Sequence, residues 1–231
     1  MKQRHSIIRG AFILTITGFI TRFIGFFYRI FLSRIFGEEG VGVYQLIFPI
    51  YALGFSLTCA GIEIAISRTV ATKSATGNNK EARNTLHIGC FFSLIFSLLF
   101  MITIQNKSTF ISSHILNDTR CVPLLIIISY ALPFAAMHSC ICGYYLGLKQ
   151  TKIPALSQFI EQFARVISVY FIYLFYSKNS ETPNILLAVV GIVIGELASS
   201  AFCFFSFRHN LIHTDSFFRL SSCIKSGKEL L

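Results

Sequence analysis

The sequence predicts an all-α polytopic membrane protein with six transmembrane helices, and three observations predict it. Charged residues make up only 13% of the 231-residue chain and apolar residues 54%, with a mean hydropathy of +0.66. A soluble domain carries roughly a quarter charged residues, so half of the usual means of keeping a folded surface in water is missing. The apolar residues gather into six runs, each near the roughly 20 residues that span a bilayer core as a helix. The basic residues, finally, collect in alternate connections between those runs.

The first run, Phe12–Phe31, follows Lys2, Arg4 and Arg9 as the core of a signal peptide would. It continues past Arg22 to Ile35 without a small-residue cleavage site, so it reads as a retained helix. The second run, Val41–Ala60, and the fourth, Cys121–Gly143, contain Pro49 and Pro133, which are expected to kink their helices. The third is Leu86–Ile104. The strands of a membrane barrel alternate apolar and polar residues over about ten positions, and neither Leu94–Ile104 nor Pro123–Ser129 does so. The fifth and sixth runs are Phe159–Tyr176 and Ile185–Phe207. Residues 1–207 therefore read as one six-helix lobe, and 208–231 as a basic cytoplasmic tail or the start of an interlobe segment. Gly143-xxx-Gly147 and Gly191-xxx-Gly195 have the spacing that lets helices pack closely.

A net charge of +10 invites a nucleic-acid reading, but its distribution excludes one. Lys2, Arg4, Arg9, Arg68, Lys73, Lys80, Arg83, Lys149, Lys152, Arg208, Arg219, Lys225 and Lys228 fall on one side of the six-span topology. Lys107, Arg120 and Lys178, with Arg34 near the edge, fall on the other. Cytoplasmic connections carry the Lys and Arg excess, so both termini are expected inside, with the lipid bilayer as the chain's first partner.

Of seven cysteines, only Cys223 lies in a polar tail; the others fall in or at the ends of apolar runs and read as small hydrophobes. Cys140 and Cys142, two apart, face different sides of a helix. No disulfide, metal or cofactor is implied. His138 reads as a hydrogen-bonded interior residue, and His209 and His213 as part of a solvated tail. Asp118 and Asp215, the only aspartates, lie far apart, which removes the carboxylate cluster that a membrane-embedded enzyme needs.

Ionisable residues within a span are costly and therefore candidates for function. Arg22 and Arg29 stand seven apart in the first span, on one helical face, with Gly18 and Gly25 in the same stripe. Small residues beside guanidinium groups leave room for a bulky anion, and arginine binds phosphate bidentately without ever losing its charge. Glu161 precedes Arg165 by four residues, the favourable order for a helical ion pair. Glu196, in mid-span beside Ser199 and Ser200, is open to three roles: counter-ion for Arg22, proton or cation site, or buried neutral acid. Glu63 lies near the cytoplasmic end of the second span and asks for less explanation.

Thr21-Arg22-Phe-Ile-Gly25-Phe-Phe-Tyr-Arg29 and Ser33-Arg34-Ile-Phe-Gly37-Glu38-Glu39-Gly40-Val-Gly42-Val-Tyr44 resemble the opening of the stage V sporulation protein B group. Ala65-Ile-Ser67-Arg68, Gly143-Tyr-Tyr-Leu-Gly147 and Pro154-Ala-Leu-Ser157-Gln158, with Glu161-Gln162 and Arg165, continue the match in order along nearly the whole chain. That group belongs to the polysaccharide-exporter branch of the MATE-like (MOP) flippase superfamily. The resemblance implies a bacterial cell-membrane protein of two lobes around a cavity that opens alternately to either side, of which this chain supplies the N-terminal lobe and a second six-helix lobe the rest. It further implies a flippase for a lipid-linked oligosaccharide or peptidoglycan precursor in cell-wall or spore-cortex synthesis, rather than an enzyme. In the family's lipid II flippase branch a Ser/Thr-Arg pair in the first helix lines a cationic cavity, and Arg22 matches it; a second family arginine falls at Tyr28 here. Two alternatives stand beside this reading: a cation-coupled small-molecule antiporter, with Glu196 as the ion site, and an inactive half that needs a partner lobe.

Overall fold

The computed structural model describes the backbone of residues 2–178 and 184–228 and the side chains of residues 9–176 and 184–209. His213, Cys223 and the basic residues Lys2, Arg4, Lys178, Arg219, Lys225 and Lys228 thus lie outside the described side chains. Among the described residues every element is helical: α1 (Lys2–Leu46), α2 (Phe48–Phe55), α3 (Gly61–Ala75), α4 (Asn79–Phe110), α5 (Cys121–Ser129), α6 (Ala131–Gly147), α7 (Lys152–Lys178) and α8 (Leu186–Lys228). Single π-helical turns, Ser56–Ala60 and Ile111–Ile115, join α2 to α3 and extend α4.

Among the described residues, five stretches are long and apolar enough to cross a membrane, and the first is a 67-residue run from Arg9 to Ala75. At 1.5 Å per residue such a run measures about 100 Å, more than three times the hydrocarbon thickness. It is broken at Gly37, whose φ of 72° is a backbone conformation that glycine adopts without steric cost. Contacts trace its course. Gly10 lies against Thr151 in the α6–α7 connection, whereas Gly40 lies beside Ile185, and Glu39 pairs with Arg120. Ser67 and Val70 return to Gly147, next to that same α6–α7 connection. The chain therefore travels from one face of the bundle to the other and back within this run.

Both prolines act where the sequence places them. Pro49 stands in the first turn of α2, just after the break at Ile47, and Pro133 in the first turn of α6, just after the break at Tyr130. Each lacks the N–H that would reach four residues back, and its ring crowds that carbonyl. The π turn at Ser56–Ala60 adds a local distortion: Ser93 Oγ on α4 donates to the Thr58 carbonyl at 2.8 Å. An irregular turn in an apolar segment persists because a neighbouring helix supplies hydrogen bonds.

The surface is inverted relative to a soluble protein. Phe12, Phe19, Phe23, Phe91, Phe171 and Phe205 are each more than half exposed, and apolar exposure on that scale marks a face meant for hydrocarbon. Inside, two apolar clusters form. One gathers Leu32, Ile47, Ile104, Leu125, Leu132 and Ile192; the other gathers Ile66, Leu86, Ile141, Tyr145 and Cys203. Buried polar residues fall between them on each helix that serves both, among them Ser93 and Ser97 on α4, His138 and Ser139 on α6, and Glu196, Ser199 and Ser200 on α8. A polar layer thus divides the apolar interior.

Both Gly-xxx-Gly pairs make the approaches their spacing predicts. A Cβ on Gly143 would stand 2.7 Å from the Glu63 carbonyl oxygen, and one on Gly147 2.7 Å from that of Ser67, so α6 touches α3 backbone to backbone. On α8, a Cβ on Gly191 would meet Val169 at 2.3 Å, and one on Gly195 the Glu161 carbonyl oxygen at 2.9 Å. This second seam seats α8 on α7 and brings Glu196 beside Glu161.

At the connections, Lys73 pairs with Glu81 across the α3–α4 turn. Arg120 holds Asp118 through Nη2 at 2.8 Å, and that contact draws the Asp118 carboxyl below the usual carboxylate range.

Candidate functional site: two cavities of opposite charge

One cavity, of about 480 Å³, is lined by Arg22, Gly25 and Arg29 from α1 and by Gln162 and Arg165 from α7, with Tyr28 and Tyr44 on its wall. No carboxylate lines it. Arg22 and Arg29 are exposed in this chain. Arg29 reaches the cavity together with its neighbour Tyr28, so the one-residue offset from the resembled pattern does not remove a guanidinium from this wall. Gly25 leaves space where a Cβ would stand 3.2 Å from Gln162 Nε2, while nothing lies within 4 Å of the corresponding position at Gly18. Two buried donors of this lining, Tyr28 Oη and Arg165 Nε, have no hydrogen-bond partner. Buried polar groups are nearly always satisfied, so these two stand out in the lining.

The other cavity, about 430 Å³, is acidic. Glu63 from α3, His138 from α6, Glu161 and Gln158 from α7 and Glu196 from α8 line it, with Leu14 of α1 at its edge. Glu196 accepts from Tyr51 Oη at 3.0 Å, and its second oxygen lies 3.4 Å from His138 Nδ1. The other ring nitrogen of His138, Nε2, lies 3.0 Å from Ser157 Oγ, and Ser199 Oγ lies 3.2 Å from Nδ1. Every hydrogen-bonding atom of this imidazole is engaged, as the sequence predicted for an interior histidine.

Glu161 and Arg165 connect the two cavities. Arg165 Nη2 donates to Glu161 Oε1, and both side chains are less than one-fifth exposed. The expected pair therefore exists, and it is buried at the junction of the two cavities. Glu196 was left open to three roles, and its surroundings are now visible. It is turned to Tyr51 and His138, because the close α7–α8 seam carries it into the other cavity. Tyr51 was not singled out from sequence, Tyr28 and Ser157 entered only through the resemblance, and Glu63 was given little weight. Cys142 was taken for a simple hydrophobe, although His138-xxx-Cys142 is an i, i+4 pair on one helical face.

A helical membrane protein with an ionisable core split by charge into two cavities is the class that fold and site define. The chain belongs to the polysaccharide biosynthesis protein family, whose model matches residues 7–229. It is 31% identical over 230 residues to stage V sporulation protein B of Bacillus subtilis (strain 168), covering 98% of this chain and 43% of that protein. From the same organism, it is 28% identical over 167 residues to the uncharacterized membrane protein YabM, covering 71% of this chain and 30% of that one. It is 25% identical over 169 residues to the lipid II flippase MurJ, covering 70% and 31%. The chain thus spans less than half the length of these relatives. No solved structure gives a significant match.

Proposed function

We propose that this chain is the N-terminal lobe of a flippase that moves a lipid-linked sugar pyrophosphate, an oligosaccharide or peptidoglycan precursor, across the bacterial cell membrane for cell-wall or spore-cortex synthesis. The supporting observation is the acid-free cavity with three guanidinium groups and two unpartnered buried donors. A pyrophosphate offers many acceptor oxygens and a charge that does not vanish near neutral pH. Arg22 and Arg29 grip it from α1 and Arg165 from α7, while Tyr28 donates its free hydroxyl. Gly25 keeps α1 slim at that level. The work is binding and movement, with no bond made or broken.

On this reading the 67-residue run, divided at Gly37, supplies two of six crossings, both chain termini are cytoplasmic, and residues 208–231 are a basic tail or the start of an interlobe segment. Arg22 and Arg29 are exposed along an open cavity in this chain, which fits a substrate path completed by a second six-helix lobe. Breaks in the second and fourth spans, at Ile47 and Tyr130, provide bending points for alternating access. The acidic cavity supports a second role in the same fold: Glu196 and Glu161 as a cation or proton site that couples or, in a small-molecule antiporter, drives export.

The test uses the chain together with its second lobe in vesicles that carry a fluorescent lipid-linked pyrophosphate. Arg22→Ala is expected to slow transport at least about 10-fold, since a hydrogen bond to a charged group contributes about 1.5–3 kcal/mol. Unchanged transport would remove Arg22 from the pathway. Export of a cationic dye that depends on Glu196 and is indifferent to lipid-linked substrate would favour the antiporter.

A further inference from the structure

Outside the cationic cavity, two groups among the described residues have the chemistry of a metal site, and the one with two thiols is the better built. We infer that His138, Cys142 and Cys203 form a binding site for a thiophilic divalent cation, zinc first among them. A ring nitrogen of His138 and the sulfurs of Cys142 and Cys203 all lie within 4.8 Å of one another. The two sulfurs are 3.9 Å apart. Two thiolates bound at about 2.3 Å to a tetrahedral zinc sit about 3.8 Å from each other, whereas a disulfide needs about 2.0 Å. The sulfurs therefore already stand at the spacing of ligands sharing a metal. A ring nitrogen belongs about 3.6 Å from each sulfur, so the imidazole needs to shift by only about an ångström.

The surroundings supply what such a site requires. Nε2 faces the thiols: it lies 3.0 Å from Ser157 Oγ, which is itself 3.4 Å from Cys142 Sγ. Nδ1, on the far side of the ring, faces the Glu196 carboxylate at 3.4 Å. A metal-bound histidine characteristically donates its second N–H to a carboxylate, which fixes the tautomer that leaves the other nitrogen free to ligate. Tyr51 holds the other Glu196 oxygen in place. Binding releases one proton from each thiol, so the cation, two thiolates and a neutral imidazole sum to zero charge. A neutral complex is the form that a low-dielectric interior tolerates. His138 and Cys142 line the acidic cavity, which gives the ion an entry path and leaves its fourth position to water or Ser157. Because the ligands come from α6 and α8, the bound ion fastens those two helices together. This site does not depend on the flippase reading.

The test uses the full chain, purified in detergent, chelator-stripped and kept reduced with a phosphine. One equivalent of Co²⁺ is expected to produce a thiolate-to-cobalt charge-transfer absorption, which one equivalent of Zn²⁺ then abolishes. Cys203→Ser should remove the absorption, and Cys90→Ser should leave it intact. Glu196→Gln should keep the absorption but weaken zinc affinity about 10–100-fold. Folded wild-type chain that binds cobalt without a sulfur band would overturn the proposal and assign any bound ion to the His138, Glu161 and Glu196 carboxylate group instead. Persistence of the band in Cys203→Ser would overturn it equally.

Discussion

The cavity lined by Arg22, Arg29 and Arg165 and the one lined by Glu63, Glu161 and Glu196 are similar in volume and draw on the same two helices, α1 and α7, yet carry opposite charge. The reversal takes place within a single turn of α7. Gln158 and Glu161 face the acidic cavity, and Gln162 and Arg165, one turn on, face the basic one. Neither charge could stand alone there, because an unpaired ion in a low-dielectric interior carries a penalty of several kcal/mol. The Glu161–Arg165 pair spreads that penalty over two cavities. It leaves each cavity its own sign while the junction between them stays neutral. The comparison shows how one ion pair lets a basic wall and an acidic wall stand side by side.

The largest expected effect comes from breaking that junction. Glu161→Gln leaves Arg165 as an uncompensated charge, and removing one partner of a buried pair costs about 3–5 kcal/mol. Thermal unfolding in detergent should register it. Glu161→Gln combined with Arg165→Gln should recover most of the stability while still lacking substrate binding, which separates the structural role of the pair from the role of Arg165 on the cavity wall. If the double variant is as unstable as the single one, the pair is not what lets the two cavities coexist.

A smaller effect is expected at the seam that positions both walls. Gly195→Ala sets a methyl group 2.9 Å from the Glu161 carbonyl oxygen, a backbone atom that cannot turn aside. Overpacking of this kind costs about 1–3 kcal/mol. Gly18→Ala is the control: nothing lies within 4 Å, and alanine favours a helix over glycine by about 1 kcal/mol, so stability should hold or rise. Unfolding of both variants side by side checks the contrast. An equal loss at the two positions would mean that the α7–α8 approach does not set the site.

How much of this was legible in the sequence follows from range. The helices, the breaks near Pro49 and Pro133, the Gly-xxx-Gly seams and the Glu161–Arg165 pair depend on neighbours no more than four residues apart or on the mean character of a window, and all are readable from one strand of text. The stripe of Arg22, Gly25 and Arg29 was readable for the same reason. What escaped joins residues distant in sequence. The partner of Glu196 is Tyr51, 145 residues away, and no local pattern ranks Tyr51 above Arg22 for that role. Cys142 meets Cys203 across 61 residues, so two cysteines that each look like packing become a pair only when α6 and α8 are laid together. The boundary between the first two spans is visible in both, because Gly37 falls between the apolar runs Phe12–Phe31 and Val41–Ala60. Gly37, with its φ of 72°, marks the break, and contacts with Thr151 and Arg120 show which faces of the bundle the chain reaches on either side of it.

The smallest expected effect tests whether the two cavities act separately. Tyr51→Phe deletes one donor to Glu196 and leaves the ring in place, so the cost to stability should be about 1–3 kcal/mol, that of one unmet hydrogen bond at a buried acceptor. His138 still reaches the other carboxylate oxygen, which favours the lower end of that range. Tyr51 lines neither cavity, and its hydroxyl addresses only the acidic side. Affinity for a lipid-linked pyrophosphate should therefore remain at its wild-type value in the two-lobe protein, while the response of transport to pH or to a cation gradient should shift. A parallel fall in substrate affinity would show that Glu196 and the arginine wall are held by the same contacts. The charge reversal along α7 would then be a structural accommodation rather than a division between substrate and ion.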